Sequence, residues 1–174
     1  MSRAEPADRL QAALDLRPEL GELFNDYYGQ LWADSVVDPV LLELCRLRIA
    51  TLLGDRRQQM LRDRSAIDAG LTEEKVADLS RYPTSPLYSD RERACLDYAE
   101  HHVMDVHSIT DADAERVKAH LTDEDFVGFT VAIGLLEGVG RLRLSLGASG
   151  PVPDHPVVVA HPGSAEPLSP EEPH

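Results

Sequence analysis

Asp55, Gln58 and Arg62 stand at i, i+3 and i+7 in the stretch DRRQQMLR. On a helix that spacing puts them on one face. A guanidinium can hold a carboxylate through two parallel hydrogen bonds, and a nearby acid can move a proton. Such a face would take a small anionic ligand. Arginine itself stays charged near neutral pH, so Arg62 can bind but cannot act as acid or base. Arg56, Arg57, Arg62 and Arg64 crowd the same segment, with Arg57 a candidate for anion binding. Asp55, Asp63 and Asp68 partly neutralise this cluster, and the competing reading is a solvated charged face.

Other reactive side chains are sparse. Cys45 and Cys95 are the two cysteines, and no Cys-x-x-Cys occurs. A local redox dithiol and a cysteine-based zinc site are therefore absent, and both thiols read as buried apolar groups. His101, His102 and His107 cluster in HHVMDVH, but neighbouring histidines diverge by about 100° on a helix, and no His pair has metal-ligand spacing. No metal and no cofactor are expected.

The elements that must position these residues are all helical. Asp38-Pro39 starts a helix whose apolar stripe is Leu41, Leu44, Cys45, Ile49, Leu52 and Leu53, with Gly54 as its end. A second helix is predicted from about Asp55 to Ala69, closed by Gly70. Thr72-Glu-Glu opens a short helix, and Tyr82 to Pro86 is a loop. Ser89-x-x-Glu92 is a capping box, and Thr110 and Thr122 cap two more helices. The last helix, about Asp123 to Leu146, is the most apolar and reads as the core element. Two helices precede Asp38, one starting near Pro18. No alternating strand pattern is visible.

The chain has 174 residues, with 17 Lys and Arg against 31 Asp and Glu, a net charge of −14. That balance argues against nucleic acid and anionic membranes as partners. The N-terminal stretch has no apolar signal region, and the longest apolar run, Phe126 to Leu136, is too short to span a bilayer. A soluble cytoplasmic protein is expected. Seven of the twelve prolines lie within residues 148–174, which carry four acids and no Lys or Arg. We read residues 1–147 as one helical domain and 148–174 as an extended or disordered tail. Its apolar run, Val157 to Ala160, is a potential docking arm for a neighbouring subunit.

Four segments in order, LLELCRLRIATLLGD (41–55), AIDAGLTEEKVADL (66–79), YSDRERACLDYAE (88–100) and DEDFVGFTVAIGLLEGVGRLRLSLG (123–147), resemble the carboxymuconolactone decarboxylase and alkylhydroperoxidase D-like family. The resemblance implies an all-α helical bundle over residues 30–147. Redox members carry Cys-x-x-Cys-x-x-x-His after the turn glycine. Asp55 and Gln58 stand here at the two cysteine positions, and Arg62 at the histidine. Glu43 matches the glutamate of the family's proton relay. The decarboxylase branch also lacks the dithiol but places a His where Arg62 sits. In the last helix the two family Asn positions are Glu137 and Gly140, while Arg141 is kept.

The resemblance makes Glu43, Asp55, Gln58 and Arg62 the catalytic candidates, with Arg57, Glu137 and Arg141 as binding candidates. Asp and Gln cannot cycle between thiol and disulfide, so loss of dithiol peroxidase activity is expected. The leading reading is an oligomeric binding or accessory protein, in which Arg62 pairs with Glu43 or Asp55. The first alternative is a cofactor-independent lyase, hydrolase or isomerase acting on a small organic acid or lactone, with Arg62 holding the anion. The second is a hydroperoxide reductase. The resemblance also implies a homo-oligomer, trimer or hexamer. Leu16–Trp32, with Leu20, Leu23, Phe24, Tyr27, Tyr28 and Leu31, reads as an interface element or as ordinary core.

Overall fold

The structure, a computed structural model, describes residues 9–33 and 37–160. In chain order the helices are α1 (Arg9–Leu14), α2 (Pro18–Ala33), α3 (Pro39–Leu52) and α4 (Arg56–Gln59). A short strand, β1 (Leu61–Asp63), precedes α5 (Arg64–Asp68) and α6 (Glu73–Ala77). Then follow α7 (Asp90–Met104), α8 (Asp111–Lys118), α9 (Asp123–Ser145) and a second short strand, β2 (Val157–Val159). No helix among the described residues is long and apolar enough to cross a membrane.

The starts of these helices follow their capping chemistry. The Asp38 carboxylate accepts the Leu41 N–H at 2.9 Å, and Pro39 takes the first helical position. Ser89 with Glu92 and Thr110 with Asp113 close reciprocal capping boxes on α7 and α8. Thr122 caps α9. At the end of α3, Gly54 takes a left-handed φ of 73°. Its N–H reaches Thr51 O, and the next N–H, of Asp55, reaches Ala50 O. This paired C-terminal closure sets Asp55 directly below the core helix.

That core helix is α3, packed against both α7 and α9. Nine of its fourteen residues are buried, including Glu43 and Arg46. The sequence assigned this role to α9. Instead α9 buries one face, through Phe129, Ala132, Ile133, Leu136 and Val139, and exposes Val127 and Val131. A moderately apolar helix surrounded on several sides is thus more central than the most apolar one at the edge.

The segment after Gly54 departs from the expected single helix over 55–69. It breaks into α4, β1 and α5 because side chains capture the carbonyls that a helix would use. Arg46 takes the carbonyls of Gln58 and Leu61, and Arg62 takes those of Gln59 and Leu61. The Asp63 N–H turns to the Glu43 carboxylate at 3.0 Å. Extended at this point, the chain pairs in parallel with β2, Leu61 opposite Val157 and Asp63 opposite Val159. The Val157–Val159 run, read from the sequence as part of an extended tail with a potential to dock on a neighbour, instead pairs with its own chain. Among the described residues these two strands form a two-stranded sheet within an otherwise helical bundle.

Candidate functional site

Glu43 and Arg46 lie one turn apart on α3, both buried. The Arg46 guanidinium grips the Glu43 carboxylate with two parallel bonds, Nε to Oε2 at 2.6 Å and Nη2 to Oε1 at 2.7 Å. Its remaining N–H groups reach the Gln58 carbonyl at 3.1 Å, the Gln58 side-chain oxygen at 3.2 Å and the Leu61 carbonyl at 2.9 Å. All five donors of the guanidinium fork are engaged. Burial works against the arginine's charge, but the adjacent Glu43 carboxylate outweighs it and holds the Arg46 pKa above its ordinary value. Glu43 is therefore clamped from one side by Arg46 and from the other by the Asp63 N–H.

Asp55, also buried, caps α4 by accepting the Gln58 N–H at 3.2 Å, and its other oxygen accepts the Ser149 hydroxyl at 2.9 Å. Asp55, Gln58 and Arg46 line a narrow cleft of about 340 Å³, its solvent-open mouth included. Tyr28 of α2 and Arg143 of α9 complete its polar wall, and Leu53, Leu136, Val139 and Gly140 form the apolar one. Burial raises the Tyr28 phenol above its ordinary pKa, so it stays protonated near neutral pH. Leu53 packs closely on Gly140: a β-carbon there would sit 2.7 Å from Leu53 Cδ1, so the leucine side chain would have to shift.

The sequence candidates divide into two groups. Glu43, Asp55 and Gln58 come together around Arg46. Arg62 does not join them. Because β1 is extended, its side chain turns away and forms a two-bond pair with Glu73, at 2.8 and 3.1 Å. The expected pairing of Arg62 with Glu43 or Asp55 is thus replaced by Arg46–Glu43 and Arg62–Glu73. Arg57 donates to the Pro151 carbonyl at 2.7 Å, outside the cleft. Glu137 and Arg141 also face elsewhere. Leu136, Val139, Gly140 and Arg143 occupy the cleft side of α9, and Glu137 and Arg141 lie round the helix from them. Glu137 accepts from Arg141 at 2.8 Å and meets His102 Nδ1 at 3.0 Å.

Arg46, Tyr28, Arg143 and Ser149 are the site residues that sequence reasoning missed. For Arg46 a signal was present: Glu43 and Arg46 are an i, i+3 charge pair inside the apolar run LLELCRLRIATLL. Nothing in the local sequence points from Tyr28 or Ser149 to Asp55.

The model of the carboxymuconolactone decarboxylase family matches residues 18–101, the stretch from α2 through most of α7 that carries the Glu43–Arg46–Asp55 arrangement. The chain belongs to this family. Uncharacterized proteins from two strains of Mycobacterium tuberculosis are 31% identical to it over 129 residues. The match covers 74% of this chain and 45% of theirs, so the chain spans about half the length of the curated relatives it matches. A crystal structure from Agrobacterium tumefaciens, a protein of unknown function described as a candidate AhpD antioxidant defence protein, superposes with a TM-score of 0.65. It is 24% identical, and the match covers 83% of this chain and 96% of that one. The helical bundle is thus the AhpD-like fold.

Proposed function

We propose that this carboxymuconolactone decarboxylase family member is diverged, lacks dithiol peroxidase activity and acts as an oligomeric binding or accessory protein. The observation that carries this reading is the complete engagement of Arg46. Glu43, at the position of the family's proton-relay glutamate, is held by a guanidinium with no donor left over, and Asp55 and Gln58 replace the two cysteines. The two thiols present do not substitute for them. Cys45 and Cys95 are buried, and that burial raises both pKa values, which disfavours the nucleophilic thiolate.

Self-association is supported by α2. Tyr28 and Trp32 turn into the core, whereas Leu20, Leu23 and Tyr27 are between 53% and 67% exposed at 3-4 spacing. That spacing is the seam of paired helices. A trimer or hexamer is the expected assembly. Light scattering of the full chain tests this, with Leu20→Glu/Leu23→Glu expected to yield monomers. Turnover of an alkyl hydroperoxide with a dithiol donor would overturn the loss of peroxidase activity.

The cleft favours a second reading, cofactor-independent chemistry on a small organic acid or lactone. Asp55, the protonated Tyr28 phenol and Arg143 line the same cleft. Thermal-shift screening of small carboxylates and lactones against wild type and Asp55→Asn separates the readings. A stabilising ligand whose effect disappears in Asp55→Asn supports a working site; no ligand shift supports the accessory role.

A further inference from the structure

The second reactive constellation lies on the far side of α7, away from the cleft. Asp97 and His101 stand one turn apart on α7, and Asp113 is in the first turn of α8. One ligand atom from each lies within 4.8 Å of the others. We propose that Asp97, His101 and Asp113 bind a first-row divalent cation of the zinc type. The sequence expectation of no metal weighed only the histidines of HHVMDVH and the adjoining Asp105, and this group is assembled from two helices.

Three observations point to a cation. First, His101 Nδ1 is buried and has no hydrogen-bond partner among the described residues. No side chain or backbone group among the described residues holds that nitrogen, so the imidazole is not committed elsewhere through it. Second, the donor set is mixed. One imidazole with two carboxylates suits zinc and its neighbours better than magnesium or calcium, which prefer oxygen alone. Third, Asp113 is already oriented. Its Oδ2 accepts both the Thr110 N–H and hydroxyl at 2.7 Å, which fixes the carboxylate and leaves Oδ1 for a cation.

A cation already occupies the acids' free oxygens. Arg116 Nη2 sits 2.5 Å from Asp97 Oδ2 and 2.8 Å from Asp113 Oδ1. Its side chain is about half exposed, so it can swing into solvent. Two carboxylates against one guanidinium leave an excess negative charge, which a divalent ion would cancel. The net charge of −14 adds a general attraction for cations. Bonds of about 2.1 Å to zinc require the three donors to draw in by roughly an ångström, within the reach of side-chain rotation. Three protein ligands would leave a fourth position for water.

Calorimetric titration of zinc chloride into the full chain tests the site, comparing wild type with His101→Ala, Asp97→Asn and Arg116→Gln. The comparison among variants separates this site from binding by the other histidines. One zinc per chain is expected, with affinity at least about tenfold weaker in His101→Ala and Asp97→Asn and tighter in Arg116→Gln, where the competing cation is gone. No stoichiometric uptake by the wild type, or uptake unchanged by both His101→Ala and Asp97→Asn, overturns the proposal. Cobalt added to the wild type gives a readout independent of variant folding: visible absorption bands that zinc abolishes are expected, and their absence also overturns it.

Discussion

Arg46 and Glu43 form a buried, parallel two-bond ion pair one helical turn apart, and the same guanidinium holds the chain at Gln58 and Leu61. The pair thus does two jobs. It neutralises two charges in the centre of the bundle, and it ties α3 to the α4–β1 segment across twelve to fifteen residues of sequence.

Removing one partner leaves the other charged and buried. Arg46→Met is expected to cost about 3–5 kcal/mol in urea unfolding. The double variant Glu43→Gln/Arg46→Met should be less destabilised than Arg46→Met alone, since no bare carboxylate remains. A double variant with the full cost of the single one would contradict the pairing argument.

Arg62 is structural in this geometry. Arg62→Ala removes two carbonyl contacts and the Glu73 pair, at an expected cost of about 1–3 kcal/mol. Glu73 is more than half exposed, so Glu73→Gln should cost under about 1 kcal/mol. Any ligand found to bind the cleft should bind Arg62→Ala with unchanged affinity, measured by calorimetry.

Asp55 links the core to the C-terminal arm. Asp55→Ala loses the α4 cap and the Ser149 bond, an expected loss of about 1–2 kcal/mol. Limited proteolysis should then cut within 149–160 faster than in wild type. Ser149→Ala should show the same acceleration with a smaller loss of stability.

Cys45 and Cys95 should resist iodoacetamide in the folded protein near neutral pH. Burial pushes the Cys95 thiol up to about 12 and the Cys45 thiol well above its ordinary value. Both should alkylate once urea unfolds the chain, as mass spectrometry would record. Rapid labelling of the native protein would count against the buried-thiol reading.

Glu92 carries a pH dependence. Burial resists its ionisation, but hydrogen bonds from Lys75 and Ser89 outweigh this and lower its pKa. A carboxylate depressed in the folded state contributes stability above its unfolded value of about 4.3, lost as pH falls through the folded value. Glu92→Gln should therefore be less stable at neutral pH and show a shallower loss on acidification, followed by circular dichroism.

The sequence by itself determined most helix boundaries. Asp38-Pro39, Gly54, Ser89-x-x-Glu92, Thr110 and Thr122 act on backbone groups within four residues, so their effects are written locally. It also determined the family, through four ordered segments, and it placed Glu43, Asp55 and Gln58 in one region. Only the tertiary structure decided what those residues touch. The break at β1 depends on Arg46 reaching the Gln58 and Leu61 carbonyls and on Val157 pairing with Leu61, contacts that local spacing does not encode. That break turned Arg62 from the cleft to Glu73. The division of α2 between Tyr28 in the core and Leu23 at the surface likewise follows from which neighbours pack against it. Periodicity reveals that a helix has an apolar face, whereas packing decides where that face ends.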